Sequence, residues 1–233
     1  MNGLGLVSSA LRTPLKKRSS APGSSLIVLS FGDFAMELAA VEHAERRLAK
    51  AEKSLSALGI ATSFDEAEEA WTDFLLAVAG IYSKLEQGAK SKGSSLGWFG
   101  RIKKIRRDDP LLRYLHHARN SDEHGIERVV RRFTQNGELW GRRPQYGERI
   151  PVTLQQIDDA GQPFGDEFEA MFQGDTIKLI RVVDRRYGDC FDPPQTHLGN
   201  EVLYYEEPLD VGRLALAYLK TMVAEAAALS QGS

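Results

Sequence analysis

The sequence predicts an α+β fold: a mainly helical bundle of four helices, with a small antiparallel β insertion between the third and the fourth. Three observations carry this. Apolar residues recur at intervals of three and four from 33 to 124, the spacing of one face of a helix. From about 126 to 205 the pattern changes to period two, punctuated by glycine-containing turns. A last run with helical spacing opens at Pro208 and ends near Leu229. With 233 residues the chain can bury a substantial core. Its 42% hydrophobic and 27% charged content is ordinary for a globular protein.

Residues 1–32 are serine-rich and carry Arg12, Lys16, Lys17 and Arg18, with no acid before Asp33. That composition fits a flexible basic tail or an organellar transit peptide; the tail is the reading adopted. The helical bundle spans 33–125. Its first helix, 33–58, places Phe34, Leu38, Val41, Leu48, Leu55 and Leu58 on one stripe with alanines between them. Ser63-Phe-Asp-Glu66 is a capping box that opens the second helix, 63–88. The row from Phe64 through Trp71, Phe74, Leu75, Val78, Ile81, Tyr82 and Leu85 reads as core. Gly88 to Gly97 reads as a linker, and Trp98 and Phe99 either anchor it to the bundle or stack on bases.

The third helix, 109–124, has the clearest start. Asp108-Asp109-Pro110 supplies an N-cap acid and then proline at the first helical position, and Gly125 is a natural stop. The β insertion, 126–205, contains strands at 150–157 and 176–183. Asn136-Gly137, Gly161, Gly165, Gly174 and Gly188 mark its turns. The closing segment, 206–233, carries a helix over 208–229 that is expected to return and pack on the first three.

A net charge of −2 names no partner, but the charges are unevenly spread. The first two helices are rich in acids, whereas Arg101, Lys103, Lys104, Arg106, Arg107 and Arg113 crowd the approach to the third. Such a cluster is either a solvated face or a site for RNA or another phosphate-bearing ligand. The single cysteine, Cys190, fits a reducing compartment, so the expected location is cytoplasmic. No run has the length of a membrane span, and neither a Walker loop nor a dinucleotide fingerprint occurs. No cofactor or metal is expected. The segment from Asp184 to His197 mixes acids, Cys190 and a histidine, but its spacings match no metal or nucleophile motif; it reads as a connection stiffened by Pro193-Pro194.

Function is written on the third helix. At about 100° per residue, His116, Arg119, Asn120, Glu123 and His124 share an arc opposite Leu111, Tyr114, Leu115 and Ala118. One side docks on a core. The other carries a permanent cation, an amide, a carboxylate and two imidazoles. That set suits metal-independent RNA cleavage, because the 2′-hydroxyl is a built-in nucleophile that needs only proton transfer and a cation at phosphorus. An imidazole titrating near neutrality supplies the first need and a guanidinium the second.

Arg119-Asn120-Ser-Asp-Glu-His124 resembles the signature of the HEPN superfamily (higher eukaryotes and prokaryotes nucleotide-binding): arginine, a small polar residue, then histidine a few positions on. The resemblance implies a helical bundle and, in many members, a metal-independent endoribonuclease of toxin–antitoxin or antiphage systems. Such enzymes often work as homodimers in which two motifs meet. It would make Arg119 the phosphate-neutralising group, His124 the general base or acid, and Asn120 the residue that orients phosphate or imidazole. His116 and Glu123 would be auxiliary. An antitoxin partner would follow from the toxin role. The alternative is a non-catalytic helical module for self-association or protein partners, in which Arg119 simply pairs with Glu123 and His124 caps a helix end.

Overall fold

The computed structural model describes residues 36–90, 93–124, 128–134, 139, 141–184 and 186–231, without the side chains of Glu123 and His124. The tail at 1–32, Phe34, Gly125 and the Asn136-Gly137 turn lie outside the described residues. Among the described residues the fold is α+β, with five helices and small antiparallel sheets. The described part belongs to one compact unit, 32–233.

Two long helices, α1 (Leu38–Ile60) and α2 (Phe64–Ala89), pack along one another across a three-residue connection. The turn between them is sealed by the capping box. Ser63 Oγ accepts from the Glu66 amide at 3.3 Å. The reciprocal bond falls one residue early, with Glu66 Oε2 accepting from both the amide (2.8 Å) and the hydroxyl (2.9 Å) of Thr62. Every apolar position expected of the second helix is buried. The first helix starts later than its pattern suggests. Leu38, its first residue, is 57% exposed, and Met36 ahead of it takes the buried place instead. At the far end Gly88 lies against Ala40, so the two backbones come too close for a side chain there.

Of the linker expected at 88–97, residues 88 and 89 end α2 and residues 93 to 97 begin a fifth helix, α3 (Gly93–Asp108). Ser95, Trp98, Phe99 and Ile102 are buried at intervals of three, one and three, which is one helical face. Burial of that face overrides the weak propensity of Gly93, Gly97 and Gly100, none of which has a neighbour near its absent Cβ. Trp98 is therefore an anchor: its indole N–H donates to Glu225 Oε2 at 2.9 Å.

α4 (Pro110–His124) starts where its cap predicts, with Asp109 Oδ1 accepting from the Leu112 amide at 2.9 Å. Leu111, Tyr114, Leu115 and Ala118 are all buried. α5 (Pro208–Gln231) returns along α1, as expected of the last helix, and also touches α2 and α4.

The β region is four separate two-stranded antiparallel ladders. β1 (Val130–Phe133) pairs with β4 (Thr176–Leu179), and β5 (Val182–Val183) with β6 (Cys190–Phe191). β7 (Thr196–His197) pairs with β8 (Asn200–Glu201). The Tyr114 hydroxyl donates to the Ile180 carbonyl at 2.7 Å and Ser121 Oγ to that of Val183 at 3.2 Å, so this region docks on α4. The longest pair, β2 (Arg149–Ile157) with β3 (Pro163–Gln173), overturns one expectation. Its alternation suggested a half-buried strand, yet Gln173 is the only residue of the two strands that is buried. Among the described residues no other element packs along it.

Candidate phosphate-binding site on helices α3 and α4

On α3, residues 100, 103, 104 and 107 share one face by their spacing; on α4, residues 113, 116 and 117 do the same. The two faces enclose a groove of about 490 Å³. Its walls are Lys103, Lys104, Arg106 and Arg107 from α3, and Arg113, His116 and His117 from α4. Among the described residues no carboxylate lines it. Two acids sit at its margins, Glu86 at 3.4 Å from Lys103 Nζ and Asp108 at 3.1 Å from Arg107 Nε. Five of the six cations singled out from the sequence thus converge. Arg101 does not line the groove.

Aromatic rings hold two of the guanidinium groups. Arg106 lies 4.6 Å over Tyr82, and Arg113 lies 5.7 Å over Phe191. His117 stacks on the same Phe191 at 3.8 Å between ring centroids, with Nδ1 3.4 Å from Asp184 Oδ2. Burial pulls the His117 pKa down and Asp184 works against that. His117 is therefore part of the seam between α4 and the β region.

His116 is different. Its ring is exposed on the groove side, yet desolvation on its other side, aided by Arg106, His117 and Arg119, pushes its pKa down to about 4. It is a neutral imidazole at pH 7. Asn120 Nδ2 lies 3.5 Å from His116 Nε2, and Arg119 Nη1 donates to Asn120 Oδ1 at 3.1 Å. Arg119, Asn120 and His116 are thereby linked along one face of α4. Behind them lies a cavity of about 20 Å³, room for one water, bordered by Tyr82, Arg106, His116, Arg119 and apolar residues of α2 and α4. Arg106 and His116 border both spaces, which joins the groove to Arg119.

Asp122 Oδ1 accepts from the Thr72 hydroxyl of α2 at 3.4 Å. The side chains of Glu123 and His124 lie outside the described residues.

One pair escaped the sequence reading. Asp109 and His197 are both buried, with His197 Nδ1 3.0 Å from Asp109 Oδ1. Asp109 Oδ2 also accepts from the Leu198 amide at 2.7 Å. Burial alone would raise the Asp109 pKa, but the bonds from His197, Leu198 and Leu112 hold it below the ordinary carboxylate value. Proline-stiffened spacing on one side and a helix cap on the other gave no sign that the two would meet.

Elsewhere, a groove of about 750 Å³ between α1 and α2 is lined by alanines and by charges of both signs, Lys50 and Lys53 with Glu66, Glu69 and Asp73. Mixed charge disfavours a polyanion there. Among the described residues no three His, Cys, Asp or Glu side chains gather as metal ligands, and no helix is long and apolar enough to cross a membrane. Comparison with known proteins gives no matching family model, no matching curated sequence and no matching solved structure.

Proposed function

We propose that this protein is a HEPN-like RNA-binding protein acting as a metal-independent endoribonuclease of toxin or defence type. The observation that carries the reading is the α3–α4 groove, walled by lysines, arginines and imidazoles with no acid on its surface among the described residues. Such a surface gains affinity for a polyphosphate backbone by releasing its counterions. Its junction with Arg119 and Asn120 through His116 ties it to the Arg119–His124 motif.

In this reading the groove cations position the RNA backbone and Arg119 neutralises the scissile phosphate. The 2′-hydroxyl proton passes to a neutral imidazole while the 2′-oxygen bonds to phosphorus. The bond from phosphorus to the 5′-oxygen then breaks, and an imidazolium protonates the leaving oxygen. His124 serves in one of these steps, and in the homodimer that the resemblance implies the partner's His124 serves in the other. Asn120 orients His116, whose neutral ring offers a hydrogen bond without adding charge. Cytoplasmic action and control by an antitoxin belong to the same proposal.

The test is incubation of purified protein with RNA in excess EDTA. Cleavage with 2′,3′-cyclic phosphate ends is expected. Tight RNA binding without any cleavage would leave a binding protein and remove the enzymatic half. Absence of binding at about 50 mM salt would overturn the whole reading in favour of the self-association module.

A further inference from the structure

The β2–β3 hairpin is built to meet a cationic surface. Between Arg149 and Lys178 the chain contains no lysine or arginine, but it contains Asp158, Asp159, Asp166, Glu167, Glu169 and Asp175. The register pairs Leu154 with Phe168, Val152 with Ala170 and Ile150 with Phe172, so alternate positions make one apolar face. On it Phe168 is 53% and Leu154 44% exposed; Phe164, beyond the register shift that follows Leu154, is 50% exposed. Glu169, paired with Thr153, takes the face opposite Phe168, so the hairpin offers rings on one side and acid on the other; rings accept guanidinium faces and acids accept N–H groups. The protein uses the first of these repeatedly, at Arg106 on Tyr82, Arg113 on Phe191 and Arg149 on Tyr204.

The hairpin is also held out by a firm base. Arg149 bonds to Asp210 at 2.8 Å and lies 3.3 Å from Glu207, while Lys178 and Gln173 also bind Glu207. Gly174 at its foot has its absent Cβ against the Gln145 backbone, which leaves no room for another residue. A two-stranded arm of nine and eleven residues, anchored at one end and not covered by any of the described residues along its length, would otherwise leave a large apolar face in water.

We propose that the β2–β3 hairpin of one copy docks in the cationic α3–α4 groove of a second copy. Charge complementarity selects the occupant, since the hairpin is wholly acidic beyond Arg149 and, among the described residues, the groove walls carry only cations and imidazoles. A hairpin stacked on another hairpin would instead bring like charges together. Reciprocal exchange closes a two-fold dimer with both grooves filled. This rests on the groove being an anion site, as in the function proposed above, and adds a control on it: RNA has to displace the hairpin.

Sedimentation velocity of the full chain without nucleic acid tests the contact. The expected result is a dimer at about 50 mM salt that dissociates at about 500 mM, where charge is screened within a few ångströms. One variant carries Glu167→Lys and Glu169→Lys; another carries Lys103→Glu, Lys104→Glu and Arg107→Glu. Each alone should weaken the dimer at least tenfold with little change in melting temperature, and an equimolar mixture of the two should restore it. A monomer at every concentration overturns the proposal. So does a dimer that ignores the groove variant but is lost on Phe164→Ser with Phe168→Ser, because then hairpins stack on each other. RNA binding is read separately on the wild type. RNA bound by a monomer removes only the hairpin contact, whereas a charge-swappable dimer that ignores RNA removes only the ribonuclease reading.

Discussion

Asp109 and His197 lie 88 residues apart in the chain and meet at 3.0 Å, both buried, where α4 begins. One carboxylate therefore caps the helix that carries Arg119 and at the same time clasps the β7–β8 turn through the His197 ring and the Leu198 amide. Leu198 sits at φ +49° and Gly199 at φ +82°, a turn held in the left-handed region by that clasp.

Asp109→Ala should accordingly cost about 3 kcal/mol, since it removes an N-cap and leaves a buried imidazole without its partner. Asp109→Asn should cost roughly half as much, because asparagine still caps. Urea denaturation near pH 7 measures both. The pH sign follows from the lowered carboxyl pKa: the folded state keeps the proton off more strongly than the unfolded chain. The stabilisation is present above the ordinary carboxylate pKa and is lost as pH falls through the folded value. Equal costs for the two variants would show that the cap contributes nothing and that the carboxylate's charge carries the whole effect.

His116 should titrate with a pKa of about 4 in an NMR experiment on the free protein. Unfolded, it would titrate near 6.5, so its contribution to stability is intact above pH 6.5 and fades as pH drops toward 4. Arg106→Gln should raise the value, and so should polyphosphate, which neutralises the cations around the ring. A pKa unmoved by both additions would mean that no cation in the groove reaches His116.

Cleavage should depend on Arg119 in kind as well as in charge. Arg119→Ala and Arg119→Lys should each reduce it at least about 100-fold, since a point-like ammonium cannot replace a planar two-pronged contact with phosphate. His124→Ala should be equally damaging. Melting temperatures identify any loss that comes from unfolding. Full activity in the lysine variant would reduce Arg119 to a fixed charge.

Two glycine substitutions separate crowding from propensity. Gly88→Ala should destabilise by about 1–3 kcal/mol, because its Cβ would press on Ala40 where α1 and α2 meet. Gly97→Ala, with nothing near its Cβ in α3, should stabilise by about 0.5–1 kcal/mol. Thermal or urea melts of the two variants give both signs.

Much of the helical framework is legible in the sequence because its signals are local. The buried row of α2, the capping box at Ser63 and the Asp109-Pro110 start of α4 each depend on residues within a turn or two. The opposition of Arg119 and Asn120 to Tyr114 and Ala118 follows from helix periodicity alone. α3 was legible too, in the spacing of Ser95, Trp98, Phe99 and Ile102, but three glycines disguised it as a linker.

What tertiary structure decided is everything that depends on which faces meet. The sequence shows Lys103 to Arg107 and Arg113 as one basic cluster, and only the packing of α3 on α4 gathers five of its cations along one groove with His116 and leaves Arg101 out. The low pKa of His116 arises from that packing, since desolvation and neighbouring cations are properties of the surroundings and not of the residue. Period two along β2 and β3 reports alternation but not whether a second layer covers the apolar face, and among the described residues none does. Asp109 and His197 could be paired only by the fold, because closing a contact over 88 residues leaves no trace in local spacing.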